Sequence, residues 1–138
     1  MKRKLSYLFT MVLLSIVLCA CGGKTGNVEI VIGDSEIFEE KEIESAMQVV
    51  IRFFGSESGF RGCTMTDLSY DEERSLAEAA EWAKSYDEDE AIVLISRFTV
   101  GPNGNAEGTM TPNAAYPGWK WILVRSDKGK WKLVDWGY

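Results

Sequence analysis

Ala91-Ile92-Val93-Leu94-Ile95-Ser96-Arg97-Phe98-Thr99-Val100 decides the fold. Branched and aromatic residues dominate it, and it contains neither glycine nor proline. Its centre is apolar at consecutive positions, so alternate side chains point to two faces that both need cover. It therefore reads as a central strand. Downstream, Gly101 to Gly118 holds all 3 prolines of the chain and reads as a long loop. Trp119 to Arg125 and Lys130 to Trp136 are two further strand candidates. Ser126-Asp127-Lys128-Gly129 between them is a turn, which makes the pair an antiparallel hairpin.

Upstream, Val28-Glu29-Ile30-Val31-Ile32 is a short strand candidate that stops at Gly33-Asp34. Ile43, Met47, Val50, Ile51 and Phe54 then fall on one stripe of a helix. Phe38 stands five residues before Ile43, the spacing of a hydrophobic staple around a helix start near Glu39. Glu40 and Glu42 occupy the first turn, where the helix dipole favours negative charge. Gly55-Ser56-Glu57-Ser58-Gly59 ends the helix. Cys63 to Tyr70 alternates and reads as a strand. Asp71 caps a second helix running to about Lys84, with Leu76, Ala80 and Ala83 as its inner stripe and Trp82 beside them. Asp87-Glu88-Asp89-Glu90 reads as a solvated acidic link. The order predicts an α+β fold, with two helices packed on one face of a curved, mainly antiparallel sheet.

The N-terminus carries an address. Met1-Lys2-Arg3-Lys4 is basic, Leu5 to Leu18 is uncharged and mostly apolar, and small residues surround Cys21. That pattern is a secretion signal. Its apolar part is shorter than the ~20 residues that span a bilayer. Leu18-Cys19-Ala20-Cys21 closely resembles the bacterial lipobox. The resemblance implies cleavage after Ala20 and a diacylglycerol thioether on Cys21, so the expected membrane partner is lipid. Two acyl chains suffice for stable anchoring where one is marginal. The expected organisation is a signal peptide over residues 1–20, a lipidated flexible tether over 21–27 and a single domain over 28–138. The expected location is the extracytoplasmic face of a cell membrane.

Composition narrows the chemistry. The chain has no histidine, which excludes histidine-based triads and ordinary histidine zinc sites. Of 3 cysteines, one leaves with the signal and Cys21 is lipidated. Cys63 then has no partner for an intramolecular disulfide, and it reads as a small buried hydrophobe. Of 15 basic residues, Lys2, Arg3 and Lys4 lie in the signal; the remaining 12 stand against 21 acidic ones, a net of −9. Such a domain is a poor nucleic-acid binder.

Two candidate sites remain. Trp119 and Trp121 share one face of their strand, and Trp136 and Tyr138 one face of the next, with Trp131 opposite. With Tyr70 and Asp135 these rings outline a candidate ligand pocket: Tyr70, Trp119, Trp121, Asp135 and Trp136. Large buried area makes a core the competing reading for the tryptophans. Asp67 and Asp135 are isolated acids on apolar-rich strands. Either could serve as a general base in a dry pocket, next to Tyr70, Tyr86, Tyr116 or Tyr138. Asn103, Asn105, Glu107 and Gly108 match part of a calcium-loop spacing, but Ala114 stands where a bidentate glutamate is needed. The loop therefore reads as turn-rich surface structure, and neither metal nor cofactor is expected.

Gly62-Cys63-Thr64-Met65-Thr66-Asp67-Leu68, Tyr70-Asp71-Glu72-Glu73, Ala91-Ile92-Val93-Leu94, Trp119, Trp121-Ile122-Leu123-Val124-Arg125 and Val134-Asp135-Trp136-Gly137-Tyr138 form a set. In these motifs the chain resembles a domain-of-unknown-function family of bacterial extracytoplasmic lipoproteins. The likeness spans Val28 to Tyr138 and implies a nuclear-transport-factor-2-like cone, but no catalytic residues. The expected function is a non-enzymatic, membrane-anchored binding or accessory module for a small ligand or an envelope protein. The alternatives are a small-molecule enzyme using Asp67 or Asp135, and a purely structural envelope protein with a filled cone.

Overall fold

In a computed structural model that describes residues 21–138, Glu90–Val100 is the middle strand, β3, of a five-stranded sheet. The other strands are β1 (Glu29–Ile32), β2 (Cys63–Tyr70), β4 (Ala115–Arg125) and β5 (Lys132–Gly137). The spatial order is β1-β2-β3-β4-β5. β1 runs parallel to β2, and every other pair is antiparallel. Two helices complete an α+β fold: α1 (Glu40–Ser56) between β1 and β2, and α2 (Glu72–Ser85) between β2 and β3. The expected signal peptide, residues 1–20 with Leu18, Cys19 and Ala20, lies outside the described residues. Among the described residues no helix is long and apolar enough to cross a membrane.

The helices lie on opposite faces of the sheet, not on one as expected from the order of elements. Ile92, Leu94, Phe98 and Val100 of β3 pack with Ile43, Ala46, Met47, Val50 and Phe54 of α1. Ala91 packs with Ala79 and Ala83 of α2, and Val93 and Ile95 lie against Trp82. Consecutive strand residues alternate faces, so the two-sided apolar centre of β3 demanded a helix on each side.

α1 starts as the sequence indicates. Glu39 and Glu42 form a reciprocal capping box, with the Glu39 amide donating to Glu42 at 2.7 Å. Asp71 caps α2 by accepting from the Glu73 amide at 3.1 Å. The inner stripe of α2 keeps Ala83 as expected but is otherwise shifted by one residue, to Ser75 and Ala79. Ser75, Ala79 and Ala83 are buried with Trp82 against them, while Leu76 and Ala80 are exposed. The reason is a backbone hydrogen bond. β2 pairs with β3 only as far as Ile95, so the Val93 amide has no strand beside it. Ser75 Oγ accepts that amide at 3.0 Å, and leaving it unpaired in the core would cost ~1–3 kcal/mol.

Three further expectations change. β4 begins at Ala115 rather than Trp119 and runs through Pro117. The proline is accommodated where the β3–β4 register shifts between Ser96 and Phe98. Trp131 lies on the same side as Trp121, against Phe38. A register shift between β4 and β5 at Ile122/Leu123 reverses the parity that strict alternation assigns. The acidic link is not simply solvated. Asp89 accepts the Asp127 amide at 2.8 Å, Glu88 pairs with Ser126 and Lys132, and Glu90 pairs with Arg125. Three of its acids therefore fasten the β4–β5 turn, in which Asp127 and Lys128 both have positive φ, as a type I′ turn requires.

Candidate functional site

The structure brings the expected pocket residues together only in part: Asp135 and Trp136 line one small cavity and Trp136 stacks on Trp121, while Tyr70 lies apart. Trp121 is fully buried, with rings of Phe53, Phe54 and Phe60 around it, and its Nε1 donates to Ser96 Oγ at 2.8 Å. Tyr70 is buried at the other edge of the sheet and donates to Glu72 at 3.2 Å. Burial, then the nearby Glu72 carboxylate, pushes its phenol up to about 12. Trp119 is half-buried among Phe60, Phe98, Tyr116 and Tyr138. Trp136 is partly exposed and stacks on Trp121. These four aromatics belong to the α1 side of the sheet.

Asp135 pairs in register with Ile122 and faces α2 instead. It lines a cavity of about 100 Å³ with Glu78, Trp82, Lys120, Trp136 and Tyr138. This does bring one candidate base beside one candidate tyrosine. The space holds about three waters, and Asp135 already accepts the Trp136 amide at 2.8 Å. Asp67 sits at the β2–β3 register shift, where its carboxylate accepts from Thr66 Oγ1 at 3.1 Å. It lines neither this cavity nor the larger one described below. The long loop uses its asparagine for itself. Asn105 is buried, donates to Gly59 and Thr109, and accepts the Thr109 and Met110 amides. Cys63 is buried, and desolvation raises its thiol to about 11.

A larger concavity lies elsewhere. A cleft of about 910 Å³ runs between α1 and the β4–β5 turn. That lies within the roughly 300–1,000 Å³ usual for ligand sites. Lys41, Glu44, Ser45, Gln48 and Arg52 line one wall, at intervals that place them on a single polar stripe of α1. Lys128, Gly129 and Lys130 line the other, and Trp131 with Arg125 closes the base. Five of the 12 basic residues among the described residues line this cleft, against two of the 21 acidic ones.

Arg125 is the fixed part of the cleft. Only 5 % of it is exposed, yet it is charged. Its Nη2 meets Glu42 at 2.7 Å and its Nε meets Glu90 at 2.5 Å. The guanidinium lies over the Trp131 ring, 4.1 Å from the centroid. Trp131 Nε1 donates to the Glu42 carbonyl at 3.0 Å. The hydrogen bond from Arg125, followed by the Glu39 amide, holds the Glu42 carboxyl below the usual glutamate range. Arg125 is thus neutralised by its partners. Lys41 reaches Glu39 at 3.1 Å on the surface, and such an exposed pair is worth little. Lys128 and Lys130 make no ion pair among the described residues. Comparison with protein families, curated proteins and solved structures finds no match.

Proposed function

We propose that this protein is a lipid-anchored binding module of the cell envelope that takes an anionic ligand in the cleft between α1 and the β4–β5 turn. The observation that carries the reading is the charge distribution. A domain with a net of −9 collects Lys41, Arg52, Lys128 and Lys130 around one concavity of ligand size. Cationic walls concentrate anions, while an acidic exterior disfavours them elsewhere. Gln48 and Ser45 add neutral hydrogen-bonding groups, and Trp131 an apolar surface. Carboxylate catalysis has less support, because Asp135 lines only the smaller cavity and Asp67 lines neither. The lipid anchor rests on Leu18-Cys19-Ala20-Cys21 and on the motif resemblance to extracytoplasmic lipoproteins.

Titration calorimetry with tripolyphosphate and with oligoglutamate probes the two common anion chemistries. One of them should bind, with an affinity that falls as salt rises. Lys128→Glu together with Lys130→Glu should weaken it at least tenfold without changing the melting temperature by more than a few degrees. Binding unaffected by the double reversal, or absent for both probes, would refute the cleft as the site. For the anchor, Cys21→Ser should move the full-length chain from the membrane to the soluble fraction of a lipidating bacterial host. A wild-type protein whose mass shows a bare Cys21 thiol rules the anchor out.

A further inference from the structure

The segment expected to be a flexible tether is docked. The Gly23 amide donates to the Phe54 carbonyl and the Lys24 amide to the Cys63 carbonyl, both at 2.8 Å. The Met65 amide donates to the Lys24 carbonyl at 3.0 Å, so Lys24 pairs with Thr64 as a parallel bridge on the edge of β2. Arg61 Nε donates to the carbonyl of Cys21 itself at 3.3 Å. The two glycines are there for contact rather than for freedom. A Cβ on Gly22 would lie 2.6 Å from the Gly55 backbone, and one on Gly23 2.3 Å from the Phe54 ring. Gly26, by contrast, has open space around it.

We infer that Gly22–Lys24 is a clip that holds the domain against the bilayer in one orientation, with the loops after α1 and after β3 facing the headgroups. This rests on Cys21 being the lipid attachment residue. With no slack between the thioether and the clip, the lipid emerges beside Gly55 and Arg61. That end is rigid: Asn105 donates to Gly59 at 2.8 Å, the Ala106 amide to Arg61 at 2.9 Å and the Gly101 amide to Gly62 at 2.8 Å. Its charges also suit a headgroup layer. Lys24 and Arg61 balance Glu57 and Glu107 among residues 21–25, 55–64 and 100–114, while the domain as a whole is strongly acidic.

The far end of the domain is set by the fold. β3 has 11 residues, or about 35 Å at ~3.3 Å each, and runs from Glu90 beside Arg125 to Val100 opposite Cys63. α1 runs with its N-terminus at Arg125 and its C-terminus at the clip. The clip therefore turns the mouth of the cleft at Lys41 and Lys128 away from the membrane, toward ligands in the envelope space.

Depth-dependent quenching tests this on the full-length lipidated chain in vesicles of neutral and anionic phospholipid with nitroxide-labelled headgroups. Cys63 is buried and Cys21 acylated, so an introduced cysteine is the one that takes the fluorophore. A label at Asn103→Cys, in the loop after β3, should be quenched at least threefold more than one at Glu40→Cys, on the first residue of α1. Gly23→Val should remove the difference while circular dichroism stays folded, and Gly26→Ala should keep it. Equal quenching at both positions of an anchored protein overturns the clip, as does a difference that survives Gly23→Val. A chain that carries no lipid and leaves the vesicles instead overturns the anchor reading, which mass measurement identifies separately.

Discussion

Arg125→Ala should lower the free energy of unfolding by roughly 3 kcal/mol, at the low end of the 3–5 expected when one partner of a buried ion pair is removed. The low end follows from the partners. Arg125 is almost wholly buried, but the Glu42 and Glu90 side chains keep 16 % and 28 % of their exposure. Water can therefore reach the orphaned carboxylates in part. The Trp131 ring also loses the guanidinium above it, an interaction worth about 0.5–2 kcal/mol. Against a typical total of about 5–15 kcal/mol, such a loss is large. Urea unfolding of the soluble domain measures it. A change within about 0.5 kcal/mol of wild type, the range of ordinary surface substitutions, would show that the pair does not form.

The pH profile separates lost charge from lost packing. Glu42 has a depressed pKa in the folded state, chiefly because Arg125 donates to it. The stability it supplies is complete above the free-glutamate pKa of about 4.3 and is lost as pH falls toward the lower folded value. Arg125→Ala should flatten that part of the acid limb. Glu88 and Glu72 are also depressed, by Lys132 and Ser126 and by Ser35 respectively, and should leave the remainder of the limb in place. A double-mutant cycle with Glu42→Gln should return a coupling of about 1–3 kcal/mol.

The parts of the fold legible in the sequence are those set by apolar periodicity. β3 reads as two-sided, and Ile43, Met47, Val50 and Phe54 read as the buried stripe of α1 because no polar residue competes for those positions. The misreadings have one physical cause, a residue used for something its hydropathy does not express. Ser75 is polar yet buried, because it accepts a strand amide. Gly22 and Gly23 have the composition of a linker, but the absence of a Cβ serves equally for close approach. Trp131 obeys a register that a bulge has reset.

The cleft was legible in part. Lys41, Ser45, Gln48 and Arg52 form a stripe at helical spacing, a signal present in the sequence. Such a stripe is ordinarily a solvated face. Nothing local shows that Lys128 and Lys130, more than 70 positions downstream, stand opposite it. That juxtaposition depends on the β4–β5 turn folding back toward α1, and the turn is held there by Glu88, Asp89 and Glu90. Acids that look like solvent-facing filler in the sequence therefore help to build the cationic site.

Trp121→Ala should cost about 4 kcal/mol, within the ~3–5 range for emptying a large aromatic site in a core. No part of the Trp121 ring reaches solvent, and Phe53, Phe54, Phe60 and Trp136 all lie within 6.4 Å, centroid to centroid. Trp121→Phe keeps much of the volume but leaves Ser96 Oγ without its donor, so about 1–2 kcal/mol is expected. Trp136→Ala, at a position 41 % exposed, should cost about 1 kcal/mol, near the centre for point substitutions. This gradient separates core from pocket. Truncating a ring that lines a binding groove weakens ligand binding while sparing the fold. Rings that fill the core behave in the opposite way. Denaturant midpoints for the three variants, measured beside anion binding at the α1 cleft, decide between them. Trp121→Ala at the wild-type midpoint would return the aromatic cluster to candidacy as a ligand pocket. A cooperative loss of about 4 kcal/mol assigns Trp121 to the core rather than to a ligand pocket.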